Sequence, residues 1–185
     1  MVDLVLIGGI ALWLMYAPNQ GTKWESYITA AQRAYRQADC AEAEKQSAAA
    51  LKEAEAFDDV RLATSLNNLA LLYKAQCRYA EAEPLYQRAL AIREKALGPQ
   101  HPDLANSLNN LAILYQVQGR YEEAETNFVW ALVIREDSLG LDHPSVAASL
   151  EDYAALLRQI GRSAEATEMD TRAEAIHAKH TGTNR

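Results

Sequence analysis

The sequence Leu-Asn-Asn-Leu-Ala at residues 66–70 is the strongest indication of the fold of this chain, because the same string returns 42 positions later at residues 108–112. A decayed copy, Leu-Glu-Asp-Tyr-Ala, follows after a further 42 positions at residues 150–154. A fixed period of this length is typical of stacked supersecondary units, each too small to bury its own apolar face. The period therefore indicates a repeat array, and arrays of this kind mostly bind other molecules.

Each unit is predicted to be a pair of α-helices. Apolar residues in the first half of a unit fall at positions i, i+3, i+4 and i+7, which places them on one face of a helix. In the second unit this face consists of Leu66, Leu69, Ala70 and Tyr73. A second recurring string opens the other half of the unit, as Arg-Tyr-Ala-Glu-Ala at 78–82 and Arg-Tyr-Glu-Glu-Ala at 120–124. Gly119 and Gly161 follow first helices, where a residue at positive φ ends a helix at low cost.

The linker between units also recurs. Residues 97–103 read Leu-Gly-Pro-Gln-His-Pro-Asp, and residues 139–145 read Leu-Gly-Leu-Asp-His-Pro-Ser. Glycine ends one helix, and proline at a first helical position beside Asp103 or Ser145 starts the next. The linker therefore predicts where one helix pair ends and the next begins.

The unit resembles the tetratricopeptide repeat, specifically the 42-residue variety of kinesin light chain and its bacterial relatives. The resemblance is carried by residues 65–73 (Ser-Leu-Asn-Asn-Leu-Ala-Leu-Leu-Tyr) and 79–90 (Tyr-Ala-Glu-Ala-Glu-Pro-Leu-Tyr-Gln-Arg-Ala-Leu), and it recurs in phase in the third unit. It covers roughly residues 24–180. It implies an all-α fold, a right-handed α-solenoid of about four helix pairs with a concave groove.

Length and composition fit one globular domain without an internal linker. The chain has 185 residues, 49% of them hydrophobic and 23% charged, and a net charge of −7. The acidic balance argues against a nucleic-acid partner, because proteins that bind nucleic acid carry a basic excess. We expect a hydrophobic segment at 1–20, a repeat array at 24–180 and a disordered tail at 181–185. The units of the array are predicted at about 24–62, 63–104, 105–146 and 147–180.

The two ends of the array depart from the pattern. The first unit is degenerate and 39 residues long, and Cys40 stands where the second unit has a tyrosine. In the last unit Asp170 stands where the third unit has Phe128, as expected of a polar cap on a repeat array. The chain from His177 onwards is expected to fray.

The N-terminus contains an unbroken apolar run from Leu4 to Ala17, ended by Pro18. Such a run is shorter than the roughly 20 residues that span a bilayer and matches the apolar core of a secretory signal. Asp3 and the absence of Lys or Arg before the run argue against a signal, and aromatic residues near its end favour an uncleaved membrane anchor. A buried N-terminal helix packed on the array is the third interpretation. We therefore expect a membrane-associated protein or one exported to the periplasm.

The resemblance implies that the first helices of the units line the groove. Carried over by motif position, the groove residues are Gln32, Tyr35, Arg36, Thr64, Asn67, Leu71, Lys74, Asn106, Asn109, Ile113, Gln116, Glu151 and Arg158. We expect stacking to place Asn67 and Asn109 side by side, where their carboxamides can donate to and accept from the backbone of an extended peptide. For Asn68 and Asn110, the next residues along the helix, we expect side chains that brace neighbouring helices.

The second helix of the third unit carries an unusual group of apolar residues. Positions that hold Gln87 and Arg88 in the second unit hold Val129 and Trp130 here, and Val133 lies one turn further on. The polar equivalents indicate a convex, solvent-exposed face, so these residues are predicted to form a docking patch or a homo-oligomer contact. The alternative interpretation is that the neighbouring helix covers them.

The sequence contains no motif for catalysis or for a cofactor: we find no Gly-rich phosphate loop, zinc-ligand motif or nucleophile elbow. His101 and His143 lack a second ligand at short spacing, so we expect them to bond nearby backbone and not a metal. Cys40 and Cys77 are interpreted as small buried fillers at interhelix turns, with a disulfide as the alternative. The carboxylates of residues 122–125 are interpreted as a solvated helix face.

We therefore expect a non-catalytic interaction module that binds a protein or peptide partner through its concave groove, without a cofactor or metal. The alternative is an accessory structural subunit of a membrane protein complex. In that case the N-terminal helix would anchor the chain and the convex surface would contact the partners.

Overall fold

Eight α-helices make up the described part of the computed structural model, which comprises residues 20–57 and 59–182. They are α1 (Gln20–Arg36), α2 (Cys40–Ala54), α3 (Val60–Ala75), α4 (Tyr79–Leu97), α5 (Pro102–Val117), α6 (Tyr121–Leu139), α7 (Pro144–Gln159) and α8 (Ser163–Gly182). These residues contain no strand, which confirms the all-α prediction. The apolar run at 4–17, and with it the predicted N-terminal helix, lies outside them.

None of the eight helices combines the length and the apolar character that a bilayer-spanning segment needs. The described residues fall into two compact units, divided between Ala56 and Phe57. The sequence predicts one domain. The structure instead divides between α2 and α3, beside the first repeat, which has 39 residues where the second and third have 42. In the first compact unit α1 packs on α2, and the buried side chains are small: Ala31, Ala34, Ala43, Ser47, Ala50 and Ala54.

The second compact unit is a stack of three helix pairs, α3–α4, α5–α6 and α7–α8. Each second helix also packs on the first helix of the following pair. One apolar cluster runs through all three pairs, and its buried aromatic members are Tyr86, Tyr115, Phe128 and Tyr153. The rings of Phe128 and Tyr153 lie 6.3 Å apart between the second and third pairs of this stack. Each pair completes the core of its neighbour, so one sequence period corresponds to one helix pair of the stack.

The linkers confirm the predicted start and stop signals. Gly98 and Gly140 end their helices with φ of 85° and 87°, and a proline occupies the first turn of both α5 and α7. His101 Nδ1 accepts a 3.1 Å hydrogen bond from the backbone N–H of Asp103, and His143 makes the equivalent bond at 3.1 Å. Each histidine therefore caps a helix, as expected for a loop histidine that bonds nearby backbone.

The prediction that Cys40 and Cys77 are buried is wrong. Both thiols are free and exposed. Cys77 has φ of 60° and occupies the turn position that Gly119 and Gly161 fill in the following pairs, at φ of 76° and 83°. The side chain at this position points away from the packed helices, because the left-handed residue lies beyond the last helical turn.

The prediction of fraying from His177 onwards is also wrong as far as the described residues extend. Helix α8 continues to Gly182, and residues 183–185 lie outside the described part. The Nζ atom of Lys179 donates to Asp142 Oδ1 over 2.6 Å, and His177 Nε2 lies 2.9 Å from Glu151 Oε1. These contacts hold the last turns of α8 against the preceding linker and helix α7.

Candidate partner-binding face

The first helices of the stack, α3, α5 and α7, lie beside one another and are joined by two hydrogen bonds between amide side chains and one between an amide and a carboxylate. We call their solvent-facing side the first-helix face. Asn110 Nδ2 donates to Asn67 Oδ1 over 2.9 Å, and Gln116 Nε2 donates to Gln159 Oε1 over 2.9 Å. Asn109 Nδ2 donates to an oxygen of Asp152 over 2.8 Å. Each bond joins residues 43 apart, one repeat plus one residue, so the contacts recur with the stack.

This pattern changes the expected geometry of the asparagines. Asn67 meets Asn110 and not Asn109, and the expected bracing role of Asn110 is confirmed. Asn109 is only 8% exposed, and its Oδ1 is buried without a hydrogen-bond partner among the described residues. Asn67 is half-buried. Ligand contact by Asn67 and Asn109 stays a prediction, and the structure gives Asn67 the more accessible position.

The other predicted residues of α3 and α5 share the first-helix face. Leu71, Lys74 and Ile113 are half-buried. The hydroxyl of Thr64 donates to its own helix, to the carbonyl of Val60 over 2.9 Å. Burial lowers the pKa of the Lys74 ammonium, and the negative charge of Asp152 partly opposes this shift. Apolar side chains and one cation therefore accompany the carboxamides.

The remaining predicted residues lie at the edges of the stack or in the other compact unit. Glu151 and Arg158 on α7 are exposed and pair with α8, Glu151 with His177 and Arg158 with Asp170. The predicted residues in the first compact unit are exposed on α1, and they are Gln32, Tyr35 and Arg36. Asp170 thus forms an ion pair at the position where the third repeat buries Phe128.

Two buried arginines behind the face were missed from the sequence. Arg93 and Arg135 are each 8% exposed, and Arg93 donates to the hydroxyl of Ser107 over 2.6 Å. Arg135 donates to Ser149 in the same way and also to Asn106 Oδ1 over 2.8 Å. Burial lowers the pKa of both guanidinium groups. The recurrence of Ile-Arg-Glu at 92–94 and 134–136 was the available signal for this position.

At the starts of the second helices, arginine side chains bond glutamates of the preceding helix pair. Arg120 donates to both oxygens of Glu83 in the preceding pair, over 2.9 and 2.8 Å, and to Glu123 of its own helix over 2.7 Å. Its guanidinium also lies 4.1 Å from the ring centroid of Tyr115. Arg162 repeats the arrangement, donating to Glu125 over 2.6 Å. The string Arg-Tyr-Glu-Glu-Ala-Glu at 120–125 is therefore a joint between repeats.

This joint corrects the interpretation of residues 122–125 as merely a solvated face. Hydrogen bonds from Arg120 hold the pKa of the Glu123 carboxyl below its usual value, and Arg162 has the same effect on Glu165. Glu125 also accepts a 2.6 Å hydrogen bond from the hydroxyl of Tyr153. Burial, together with this bond, raises the pKa of Tyr153 to about 12.

The apolar patch on α6, formed by Val129, Trp130 and Val133, is open to solvent. The three side chains are 38%, 61% and 46% exposed. The alternative that a neighbouring helix of the described chain covers them is therefore excluded. Shallow depressions lie on both sides of the indole, one lined by Glu122 and Thr126 and the other by Pro99, Gln100 and Ile134.

No cluster of three or more His, Cys, Asp or Glu side chains with metal-binding geometry occurs within residues 20–57 and 59–182. Two surface features remain as candidate binding sites. One is the polar and partly apolar first-helix face, and the other is the exposed indole of Trp130 on the second helix α6. Neither arrangement contains a nucleophile activated by a neighbouring base among these residues.

The comparisons agree on one architecture. The tetratricopeptide repeat family matches residues 61–137 and 109–179, and no curated protein matches the chain in sequence. BtubC (BKLC) from P. vanneervenii is similar in structure, with a TM-score of 0.81, 24% identity, and coverage of 90% of this chain and 68% of that one. A putative kinesin light chain from Podospora anserina with nearly identical TPR-like repeats gives a TM-score of 0.70, 25% identity and coverage of 95% and 84%.

The apo form of RapI is also similar, with a TM-score of 0.78, 18% identity and coverage of 97% of this chain and 66% of that one. These likenesses show the α-solenoid fold that the resemblance of the repeats implies. Since the family match extends from residue 61 to residue 179, it covers more than half of the sequence. The chain belongs to the tetratricopeptide repeat family.

Proposed function

We propose that this chain is a non-catalytic scaffold whose first-helix face holds an extended peptide segment of a partner protein. The observation that carries the proposal is the mixture of groups on this face. Carboxamides at recurring positions lie beside the half-exposed apolar side chains of Leu71 and Ile113. An extended peptide presents alternating backbone amides and side chains, and such a strip can meet both.

The bonds between repeats leave hydrogen-bonding capacity unused. Asn67 uses Oδ1 as an acceptor, and its Nδ2 has no partner among the described residues. Gln116 uses Nε2 as a donor, and its Oε1 is likewise unpaired within the described chain. A backbone needs both a donor and an acceptor, and these two side chains supply one of each on adjacent helices. Their bonds to neighbouring repeats also fix their positions, which lowers the entropy cost of binding.

Lys74 adds a positive charge to the same face. Lys74 is half-buried, and the negative charge of Asp152 partly offsets the lowering of its pKa by burial. A partly desolvated cation binds an acidic group more strongly than an exposed one does. The proposed ligand is therefore an extended peptide with a carboxylate near the Lys74 end. The generally non-catalytic character of the family and the kinesin light chain-like fold support a binding role.

The test is to select peptides from a random phage-displayed library on the full chain and to measure their affinity by fluorescence anisotropy. We expect Asn67→Ala and Leu71→Glu each to weaken binding at least about tenfold, because each removes or opposes a group that touches the peptide. Asn127→Ala is the matched control, since Asn127 lies on α6 and donates only to its own helix at 2.8 Å.

Circular dichroism and a thermal melt show whether each variant stays folded. Selected peptides whose affinity is unchanged by Asn67→Ala and Leu71→Glu would show that the ligand site lies elsewhere. A peptide that depends on Trp130 and not on the first-helix face would contradict the proposal in the same way.

A further inference from the structure

The second helices α4 and α6 present side chains of opposite chemistry at equivalent repeat positions. We call the exposed side of these two helices the outer face. On α6 it carries Trp130, Val133 and Asp137, and at the positions 42 residues earlier α4 carries Arg88, Ala91 and Lys95. All six side chains are exposed. An indole thus corresponds to a guanidinium, an isopropyl group to a methyl group, and a carboxylate to an ammonium.

We propose that the outer face binds a second copy of this chain about a two-fold axis that runs between α4 and α6. The two helices belong to successive stacked pairs and run in the same direction, with Arg120 at the start of α6 bonded to Glu83 near the start of α4. A two-fold axis parallel to them places α6 of one copy on α4 of the other. Each residue then faces its own repeat equivalent.

In this arrangement every facing pair is favourable. Trp130 meets Arg88 in a cation–π contact, Val133 meets Ala91, and Asp137 meets Lys95 in an ion pair. The symmetry forms each contact twice, as in an isologous dimer interface. A shallow depression on α4 with an apolar floor can receive the indole, and it is lined by Arg88, Ala91, Ile92, Lys95 and Ala96.

The charged groups of the outer face are available for this purpose. Within residues 20–57 and 59–182, no hydrogen bond or ion pair engages the side chains of Arg88, Lys95 or Asp137. By contrast, the arginines at the repeat joints are committed, Arg120 to Glu83 and Glu123. The exposed indole and the unpaired charges lie on one surface and complement each other, which favours a second copy over an unrelated partner.

The test is sedimentation velocity of the full chain over about 1 to 100 µM, a range in which a dimer of moderate affinity dissociates. We expect a concentration-dependent dimer that Trp130→Glu weakens about 100-fold, as for a central aromatic contact. Lys95→Asp and Asp137→Lys should each weaken it about tenfold, and the double variant with both changes should recover most of the affinity. Glu168→Lys, an exposed substitution on α8 with the same charge change as Asp137→Lys, is the control.

The charge exchange keeps the test decisive if Trp130→Glu fails to fold. A wild-type chain that stays monomeric throughout this range would overturn the proposal. So would a dimer that survives a folded Trp130→Glu variant, or one that the double charge exchange does not restore. Self-association through another segment, including the apolar run at 4–17, would give a dimer that survives Trp130→Glu and both single charge changes.

Discussion

At the scale of single residues, the turn between the two helices of a pair demands a left-handed conformation whatever side chain the sequence supplies. Cys77 adopts φ of 60° there, whereas Gly119 adopts 76°. A residue with a Cβ atom pays about 1 kcal/mol or more for this conformation, and glycine does not. We therefore expect Cys77→Gly to be about 1 kcal/mol more stable than Cys77→Ala, measured as the free energy of unfolding in urea.

The comparison with alanine matters because the thiol of Cys77 also hydrogen-bonds Tyr79, a contact that raises the pKa of that tyrosine. Both variants lose the thiol, so what separates them is the backbone strain of the folded turn, offset in part by the greater freedom of glycine in the unfolded chain. Gly119→Ala is the converse change, at a site where an added Cβ would meet nothing within 4 Å, and it should destabilise the chain. Equal stability of Cys77→Gly and Cys77→Ala would contradict the strained turn.

The exposure of the two cysteines shows what residue chemistry alone fails to predict. Cys40 and Cys77 are small and apolar, and such side chains are usually buried. Cys77 is exposed because it is itself the left-handed turn residue, and Cys40 is exposed at the start of α2, two residues after the left-handed Ala38. Alignment of Cys77 with Gly119 and Gly161 already contained this information, since glycine recurs where φ is positive.

At the scale of helices, each second helix of the stack begins with an arginine–glutamate hydrogen bond between residues three apart, and these local bonds respond to pH. The pKa values of Glu81, Glu123 and Glu165 are lowered, in each case mainly by a hydrogen bond from an arginine. A carboxyl whose pKa is lower in the folded than in the unfolded state contributes stability above the unfolded pKa and loses it as the pH falls. We therefore expect the urea midpoint to drop as the pH falls below the ordinary value of 4.5.

The control for this prediction is the triple variant Glu81→Gln, Glu123→Gln and Glu165→Gln. It should be less stable at neutral pH and should show a shallower loss of stability in acid than the wild type. Glu122→Gln, an exposed change beside the joint, should leave the acid slope unchanged. An identical acid slope in the triple variant and the wild type would show that these bonds contribute nothing to folding.

The helices were predictable and their partners were not. The i, i+3, i+4 pattern of Leu66, Leu69 and Ala70 predicts a helix because it reflects a local geometry. The pairing of Arg120 with Glu83, 37 residues apart, and of Asn110 with Asn67, 43 apart, depends on how one helix pair is offset from the next. The sequence period predicts that neighbouring repeats contact each other, but not which residues pair across the contact.

At the scale of the whole molecule, function rests on which surfaces the stack leaves open. The resemblance predicted the first-helix residues of the candidate site, and the structure places Asn67, Leu71, Lys74, Ile113 and Gln116 on one face of the stack. It also buries Asn109, which is 8% exposed. A repeat motif predicts which helix row a side chain occupies, whereas its share of solvent depends on the neighbouring repeat.

The exposed patch is the clearest case of a feature that the repeat itself reveals. Trp130 stands out because its equivalents in the neighbouring repeats are Arg88 and Arg172. Comparison between repeats therefore identified a surface residue that hydrophobicity alone would place in the core. The same comparison yields the facing pairs of the proposed dimer.

Hydrogen–deuterium exchange of the full chain, measured by mass spectrometry with and without a selected peptide, tests directly where the ligand binds. If the first-helix face holds the ligand as proposed, exchange slows in α3, α5 and α7 when the peptide is bound and stays unchanged in α4 and α6. The Asn67→Ala variant should lose this protection at the same peptide concentration. Protection confined to α4 and α6, or protection that Asn67→Ala leaves intact, would contradict peptide binding by the first-helix face.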